Sequence, residues 1–320
     1  MPARAVDLVG LGQISLDRVA LVGDGSEGAE AVPPRGAPVP LPGGQVATAL
    51  LAAARLGLRG RLLGAVGDDA DADDALAPLR ASGIDLDGVC RIAGARTRRA
   101  LVLVQAGDGE RIVYATRDPG LALSPARLSR AALRNARAVL VDAEDPDAAR
   151  WAVTVARERG IPTLLDVDAA DPERLALACS VDFPIVSRMF SDRLSGSTCE
   201  EETLRRLAVA PVRMAVVTCG ADGAIARLGD ARLVQPAFAV AARDTTGAGD
   251  VFRGAFAWGL LRGGSARQVL AWAAAAAALA CRGLGAQGAL PTAEEVLARV
   301  AAPATGGRAR RGAAEPGRRG

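Results

Sequence analysis

Short runs of apolar residues alternate along the chain with segments in which apolar residues recur every three or four positions. The runs predict buried strands at residues 6–12, 61–66, 138–141, 163–166, 183–186 and 215–218. The spaced segments predict helices at residues 45–56, 71–82, 125–135, 146–159, 172–178, 200–207, 249–261 and 266–282. Because strands and helices alternate, we predict an α/β fold with a three-layer, doubly wound, mostly parallel sheet.

Two segments depart from this alternation. Residues 14–42 are irregular, with many glycines and prolines. Residues 99–105 and 110–115 flank the sequence Ala106-Gly107-Asp108-Gly109, which predicts a β-hairpin. We expect the segments at about 14–42 and 97–117 to form a small β lid that covers the site.

Polar residues follow several of the predicted strands. Glu144, Asp166, Asp168, Ser187 and the run at 218–223 all stand in such positions. Ligands of open parallel sheets bind beyond the carboxyl ends of the strands. The sequence therefore predicts a site along that edge, to which the loop at 244–250 must also come.

The run Asp244-Thr245-Thr246-Gly247-Ala248-Gly249-Asp250 leads into a predicted helix. Its two glycines allow backbone conformations closed to other residues, and the first N–H groups of a helix have no partner within it. Together with the helix dipole, those groups form a site for an anion. An acid beside an anion site makes sense if Asp250 takes a proton from a hydroxyl group that then attacks a phosphoryl group.

The composition limits which residue types could act as a catalytic base. The chain of 320 residues contains no histidine, and all 39 of its basic residues are arginine. This excludes a Ser-His-Asp triad, a histidine metal site, a Schiff-base lysine and a P-loop lysine. A catalytic base must therefore be Asp, Glu, Cys or the single Tyr114.

The formal charge of +3 is concentrated at the C-terminus. Residues 303–320 hold five arginines and one glutamate, which leaves residues 1–302 near neutral. We expect one large domain at 1–302, a disordered basic tail at 303–320, and no nucleic-acid partner.

The five cysteines are widely spaced and form no Cys-x-x-Cys pair, which indicates reduced thiols in the cytoplasm. The most apolar stretch, residues 269–281, is shorter than the roughly 20 residues that span a bilayer. The N-terminus lacks the pattern of a signal peptide. We expect a cytoplasmic protein without a membrane partner.

Three motifs resemble one family. The run DTTGAGDVFRGAF at 244–256 resembles the C-terminal signature of ribokinase-like carbohydrate kinases, also called the phosphofructokinase-B family. The run GGQVATALLAAARLGLRGRLLGAVGDD at 43–69 is similar to the N-terminal signature, and Thr218-Cys219-Gly220-Ala221-Asp222-Gly223 is similar to the nucleotide loop. The order and spacing also match, so the resemblance implies a ribokinase-like kinase domain that uses ATP and Mg²⁺.

The resemblance implies a role for each matching position. Asp250 would be the general base, and Gly247, Ala248 and Gly249 would form the anion hole. The candidate substrate-binding residues are Asp17, Gly43, Gly44, Gln45 and Thr48, to which position and charge add Glu144, Arg99 and Arg117. The implied nucleotide-side residues are Ser187, Thr218, Gly220, Gly223, Thr246 and Gly283. Backbone carbonyls near Asp244 and Thr246 could bind a monovalent cation, as in several relatives.

Several positions depart from the family's pattern. Thr48 stands where asparagine is common, and the Gly-Gly-x-x-Ala-Thr form resembles a subgroup that includes sulfofructose kinases. Ser187-Arg188-Met189-Phe190 replaces an Asn-x-x-Glu motif, so Asp166 and Asp168 become the candidates for holding Mg²⁺ through water. With no lysine, Arg253 or Arg188 could add positive charge at the phosphate.

The sequence leaves the class of sugar substrate open. Glu144 favours a hydroxyl-rich neutral sugar, whereas Arg99 and Arg117 keep a sugar acid or phosphosugar open. We predict ATP-dependent phosphorylation of a sugar hydroxymethyl group. The alternatives are a nucleoside kinase on the same fold and a catalytically weak sugar-binding relative. Lid sheets of this family often pair, so a homodimer through the lid is a further expectation.

Overall fold

A computed structural model describes residues 6–23, 36–105, 111–195 and 200–302. Its strands are β1 (Leu8–Leu11), β2 (Ser15–Val22), β3 (Val39–Gly43), β4 (Gly60–Gly67), β5 (Asp85–Ile92), β6 (Arg99–Gln105), β7 (Arg111–Thr116), β8 (Ala138–Asp142), β9 (Thr163–Val167), β10 (Phe183–Ser187), β11 (Ala215–Thr218), β12 (Ala224–Leu228) and β13 (Ala231–Gln235). Its helices are α1 (Gln45–Arg55), α2 (Ala70–Ala81), α3 (Pro146–Glu158), α4 (Pro172–Ala178), α5 (Arg188–Ser195), α6 (Glu200–Leu207), α7 (Ala248–Leu261), α8 (Ala266–Ala280) and α9 (Ala293–Ala301).

The main sheet of the described chain has the strand order β13-β12-β11-β10-β9-β8-β1-β4-β5. Neighbouring strands from β11 to β5 are parallel, and the β12–β13 hairpin adds an antiparallel edge. Helices α1, α2, α7 and α8 pack on one face, and helices α3 to α6 pack on the other. The predicted three-layer, mostly parallel α/β fold is confirmed.

A second sheet forms the lid, with the order β3-β2-β6-β7. The predicted hairpin is confirmed as β6 and β7, although its turn lies outside the described residues. Strands β2 and β3 lie within the segment at 14–42, which was expected in the β lid, although no individual strands were predicted there. Strand β2 pairs in parallel with β6, about 80 residues away, and this distant partner leaves no local pattern in the sequence.

The predicted helix at 125–135 is also wrong. The chain instead makes separate 3₁₀ turns at Pro119–Leu121, Pro125–Arg127 and Arg130–Leu133. Ser124 and Ser129 each accept a hydrogen bond from the backbone N–H two residues on, which starts a new turn instead of continuing a helix. The predictions also missed β5, β12, β13, α5 and α9.

Parallel strands β1, β8, β9, β10 and β11 end at one edge of the main sheet. Their register pairs Leu11 with Val141, Asp142 with Asp166, and Ser187 with Thr218. The loops after these strands therefore lie side by side, as the sequence predicts. None of the helices in the described ranges is long and apolar enough to cross a membrane.

Candidate active site

Helix α7 begins beside a buried carboxylate that joins two loops. Asp244 accepts hydrogen bonds from the backbone N–H of Thr246 at 2.8 Å and of Gly285 at 2.7 Å. Gly247 has φ +77°, and a Cβ atom there would lie 2.6 Å from Ala286. Only glycine fits this left-handed, crowded position, so the loop geometry at the start of α7 is fixed by packing.

Three acids meet beneath this helix start, and we call Asp166, Asp168 and Asp250 the phosphate-side cluster. Asp166 and Asp250 lie close enough for each to influence the pKa of the other. Arg253, in α7, lies with its Nε 2.9 Å from Asp166 Oδ1 and its second guanidinium nitrogen 3.3 Å from Asp168 Oδ1. Gln45 donates to the same two acids at 3.2 and 3.1 Å.

This environment changes the acidity of Asp250. Burial raises its pKa to about 7, with repulsion from Asp168 adding to the shift and Arg253 opposing it. Burial also raises the pKa of Asp166 well above its usual range. A carboxyl group with a pKa near neutrality can both accept and release a proton under physiological conditions, as a general base must.

A second group of acids lies across the sheet edge, and we call Asp17, Asp142 and Glu144 the sugar-side cluster. Asp17 Oδ1 is buried without a hydrogen-bond partner, and burial raises the pKa of this side chain. A Cβ on Gly43 would lie 2.2 Å from Asp17 Oδ2. The missing side chain of Gly43 thus leaves room for Asp17, whose unpartnered oxygen is suited to a ligand hydroxyl.

Polar partners hold the other two acids of the sugar-side cluster. Asp142 is buried and accepts from the backbone N–H of Gln13 at 2.7 Å and of Glu144 at 3.1 Å. Burial raises its pKa to about 7. Glu144 accepts from Gln13 Nε2 at 2.7 Å and lies 3.7 and 3.4 Å from the guanidinium groups of Arg98 and Arg117.

The two arginines predicted to bind substrate, Arg117 and Arg99, have different partners in the structure. Arg117 joins the sugar-side cluster, where it also donates to Asp145 at 2.5 Å. Arg99 instead pairs with Asp69 and Asp71, at the start of α2. Its neighbour Arg98, which was not among the predicted site residues, donates to Gln13 Oε1 at 2.8 Å.

Other predicted residues have identifiable local contacts. Thr48 is buried in α1 and receives a long hydrogen bond of 3.4 Å from Gln287. Gly44 lies close to the Gln13 carbonyl oxygen, which a Cβ would approach at 2.4 Å. Gly283 packs equally closely against Gly288.

The nucleotide-side residues surround the ends of β10 and β11. Ser187 accepts from the Phe190 N–H at 3.2 Å, and Thr218 donates to the Val186 carbonyl at 3.3 Å. Gly220 and Gly223 have positive φ and shape the loop after β11. Arg188 pairs with Glu200 at 2.9 Å and with Asp222, in this loop, at 2.8 Å.

One contact reaches this edge from the lid. Arg111, at the start of β7, donates to the Thr245 hydroxyl at 2.8 Å. Its positive charge also lowers the pKa of Asp250, although less than Arg253 does. The sequence offered no signal for this contact, because it joins positions 134 residues apart.

The acids present do not build a closed metal site. Within the described ranges, no group of three or more Asp, Glu or Cys side chains is arranged to hold a metal ion. Asp166 is fully buried and pairs with Arg253 through Oδ1, whereas Asp168, which also contacts Arg253, is 41% exposed. Such an arrangement fits an ion that arrives with a nucleotide and keeps most of its water ligands, with Asp168 as the acid that can contact that water shell.

An open α/β sheet with a small lid, a helix start suited to an anion and a carboxylate of raised pKa are features expected of a phosphotransferase. The model of the family described as pfkB family carbohydrate kinase matches residues 8–293. The chain belongs to this family and is a carbohydrate kinase. The fold, the family and the enzyme class predicted from the sequence are therefore confirmed.

Individual relatives agree with this assignment. The chain is 32% identical to an ATP-dependent ribose-1-phosphate kinase of Halopiger xanaduensis, over 80% of this chain and 85% of the relative. It is 32% identical to fructokinase-1 of Oryza sativa, over 93% and 98% of the two chains. The structure of Arabidopsis thaliana ribokinase complexed with ribose and ATP is similar with a TM-score of 0.78, at 25% identity over 93% of this chain and 100% of that one.

Proposed function

We propose that this enzyme transfers the γ-phosphoryl group of ATP to a hydroxymethyl group of a neutral sugar. The observation that carries the proposal is Asp250, a carboxyl group with a pKa of about 7 in the first turn of α7. A helix start attracts the phosphate, and an acid of this pKa is suited to accept the proton of the attacking hydroxyl.

In the proposed reaction, Asp250 takes the hydroxyl proton while the sugar oxygen forms a bond to the γ-phosphorus. The bond from the γ-phosphorus to the bridging oxygen breaks, and ADP leaves with that electron pair. Backbone N–H groups at Gly247, Ala248 and Gly249 stabilise the charge on the transferring group. The Ala248 N–H now donates to the Thr245 carbonyl at 3.2 Å, a long bond for which a phosphate would compete. Mg²⁺ bound to the nucleotide would neutralise phosphate charge.

Paired charges on the sugar side support a neutral substrate. Both Arg98 and Arg117 face Glu144, and Arg117 also contacts Asp145. A sugar acid or sugar phosphate would have to displace these acids, whereas hydroxyl groups can bind Asp17 and Glu144 directly. The relation to the sulfofructose-kinase subgroup and a role for a monovalent cation stay predictions.

The substrate-binding and nucleotide-binding roles named above are part of this proposal, with one change. Arg98 takes the place of Arg99 in the proposed substrate site, because Arg99 is paired with acids at the start of α2.

The cytoplasmic location and the absence of a nucleic-acid partner stay predictions, and the tail at 303–320 lies outside the described residues. Leu101, Ile112 and Tyr114 are exposed on the lid, which supports the predicted dimer.

The decisive experiment combines a substrate screen with Asp250→Asn. Wild-type enzyme should consume ATP with one class of neutral sugar among hexoses, ketoses, nucleosides, sugar acids and phosphosugars. Asp250→Asn should lower kcat by about 10²- to 10⁴-fold while sugar still binds in calorimetry. Full turnover by this variant would contradict the role of Asp250, turnover of nucleosides alone would favour a nucleoside kinase, and wild-type sugar binding without turnover would favour the weak-relative alternative.

A further inference from the structure

One buried cation has no part in the steps proposed above. Arg253 is only 2% exposed, although it carries a full charge. Besides Asp166 and Asp168, its guanidinium donates two hydrogen bonds, of 3.2 and 3.0 Å, to the carbonyl oxygen of Ile185. A buried guanidinium is tolerated only where acceptors surround it, and Arg253 has two carboxylates and a carbonyl oxygen as acceptors.

The position of Arg253 within α7 directs its side chain toward residues 244–249, which we call the anion loop. Helical side chains lean toward the N-terminus and cover the preceding turn. Arg253 therefore lies over Gly249, four residues earlier, and one of its terminal nitrogens is 2.6 Å from the point that a Cβ on Gly249 would occupy. Gly249 thus leaves the space that allows a guanidinium to lie against the backbone of the first turn.

Besides Arg111 from the lid, the acids around this turn favour a cation within the core. The phosphate-side cluster places three acids where the phosphates of ATP would arrive, and like charges at short range repel. The other arginine considered from the sequence, Arg188, is held by Glu200 and Asp222. Arg253 touches two members of the cluster and the first turn of α7 at once.

We propose that Arg253 is a positioning residue for phosphoryl transfer, which acts from behind the anion loop. It neutralises Asp166 and Asp168, fixes the first turn of α7 by which Asp250 is held, and adds positive charge behind the backbone that receives the phosphate. Arginine suits this place better than lysine because its planar group reaches several acceptors in fixed directions. The inference rests on the proposed roles of Asp250 and residues 247–249.

Two substitutions test the charge. Arg253→Met keeps an unbranched apolar stem and removes the charge, and we expect kcat to fall by about 10²- to 10³-fold, as when a donor to a developing oxyanion is lost. KM for ATP should rise, while KM for the sugar should change less than threefold. Arg253→Lys, which restores a charge, should recover at least tenfold in kcat. Arg262→Met removes an exposed arginine at the other end of α7 and should match wild type.

A double variant separates positioning from simple neutralisation. Arg253→Met leaves Asp166 buried without its cation, so the variant should be less stable, and adding Asp166→Asn should restore Tm. If Arg253 acts on phosphoryl transfer, kcat of the double variant should stay at least tenfold below that of Asp166→Asn alone. Equal kcat values for these two variants would overturn the proposal. Should Asp166→Asn itself turn over too slowly, the affinity for a non-hydrolysable ATP analogue, measured by calorimetry, replaces kcat in the same comparison.

Asp250→Asn distinguishes failure of this inference from failure of the proposed function. If Asp250→Asn is inactive while Arg253→Met retains wild-type kcat, only the role of Arg253 is wrong. If Asp250→Asn retains wild-type turnover, the proposed base is wrong whatever Arg253→Met shows.

Discussion

The sugar-side and phosphate-side clusters use the same ingredients, three acids balanced by arginine, but the arginines come from different parts of the molecule. Arg98 and Arg117 flank the lid hairpin, and their side chains are 18% and 26% exposed. Arg253 belongs to α7 and is 2% exposed. Charge on the sugar side therefore comes from residues beside the lid hairpin, whereas charge on the phosphate side, apart from Arg111, is built into the core of the domain.

This difference suits the two ligands. A sugar must enter, be recognised and leave, so its binding groups can be shared with the lid. The phosphoryl group needs donors and charges already in place when the reaction starts, since reorganisation at that moment raises the barrier. Four predictions, ordered from the largest expected effect to the smallest, test whether the two clusters work separately.

The pH dependence of the reaction should report the phosphate-side cluster. Because burial raises the pKa of Asp250 to about 7, the base is protonated and inactive below that pH. We expect kcat/KM for ATP, measured at saturating sugar, to fall about tenfold per pH unit below pH 7 and to level off above it. A flat profile between pH 5 and 8 would mean that the base ionises well below pH 5.

Removal of one charge from the sugar side should affect the sugar alone. Asp17→Asn replaces a buried, unpartnered carboxylate oxygen by an amide, which weakens charged hydrogen bonds to hydroxyl groups. KM for the sugar should rise by about 10- to 100-fold, with KM for ATP unchanged. Asp74→Asn, at an exposed position of α2, is the matched control. A comparable rise in KM for ATP would show that the clusters are not separate.

Glu144→Gln should change which sugars are accepted. The substitution removes the acid that faces both Arg98 and Arg117, so two cations lose part of their compensation. We expect KM for the neutral sugar to rise about tenfold, and the preference for that sugar over its phosphate ester to fall. An unchanged preference, measured from the two kcat/KM values, would contradict the argument for a neutral substrate.

The difference between the clusters also explains which residues could be predicted from the sequence. The anion loop and Asp250 are contiguous, so their local pattern is sufficient. Asp166 and Asp168 stand directly after a buried strand, and strand ends of a parallel sheet meet at one edge. The partnership of Arg253 with these acids spans more than 80 residues, and no local pattern shows it.

The same limit applies to the fold. Apolar runs predicted the parallel strands of the main sheet except β5 at its edge, because the others are buried on both faces. Strands β12 and β13 were missed, since they carry polar residues on exposed sides. Helix α9 has a capping box between Thr292 and Glu295, a sequence signal that could have found it.

Substitution of Arg98 or Arg99 should have the smallest effect on the kinetics. The two residues are adjacent in sequence, so the difference between their variants is a direct test of which side chain faces the sugar. Side chains along an extended chain point alternately to opposite sides, so only one of two neighbours can face the sugar. Arg98 contacts Gln13 and Glu144, whereas Arg99 contacts Asp69 and Asp71. Arg98→Ala should raise KM for the sugar about two- to tenfold, and Arg99→Ala should change it less than twofold while lowering Tm slightly. Kinetic and melting measurements on both variants check this. If Arg99→Ala raised KM for the sugar and Arg98→Ala did not, Arg99 would be the residue that faces the sugar, as the sequence first predicted.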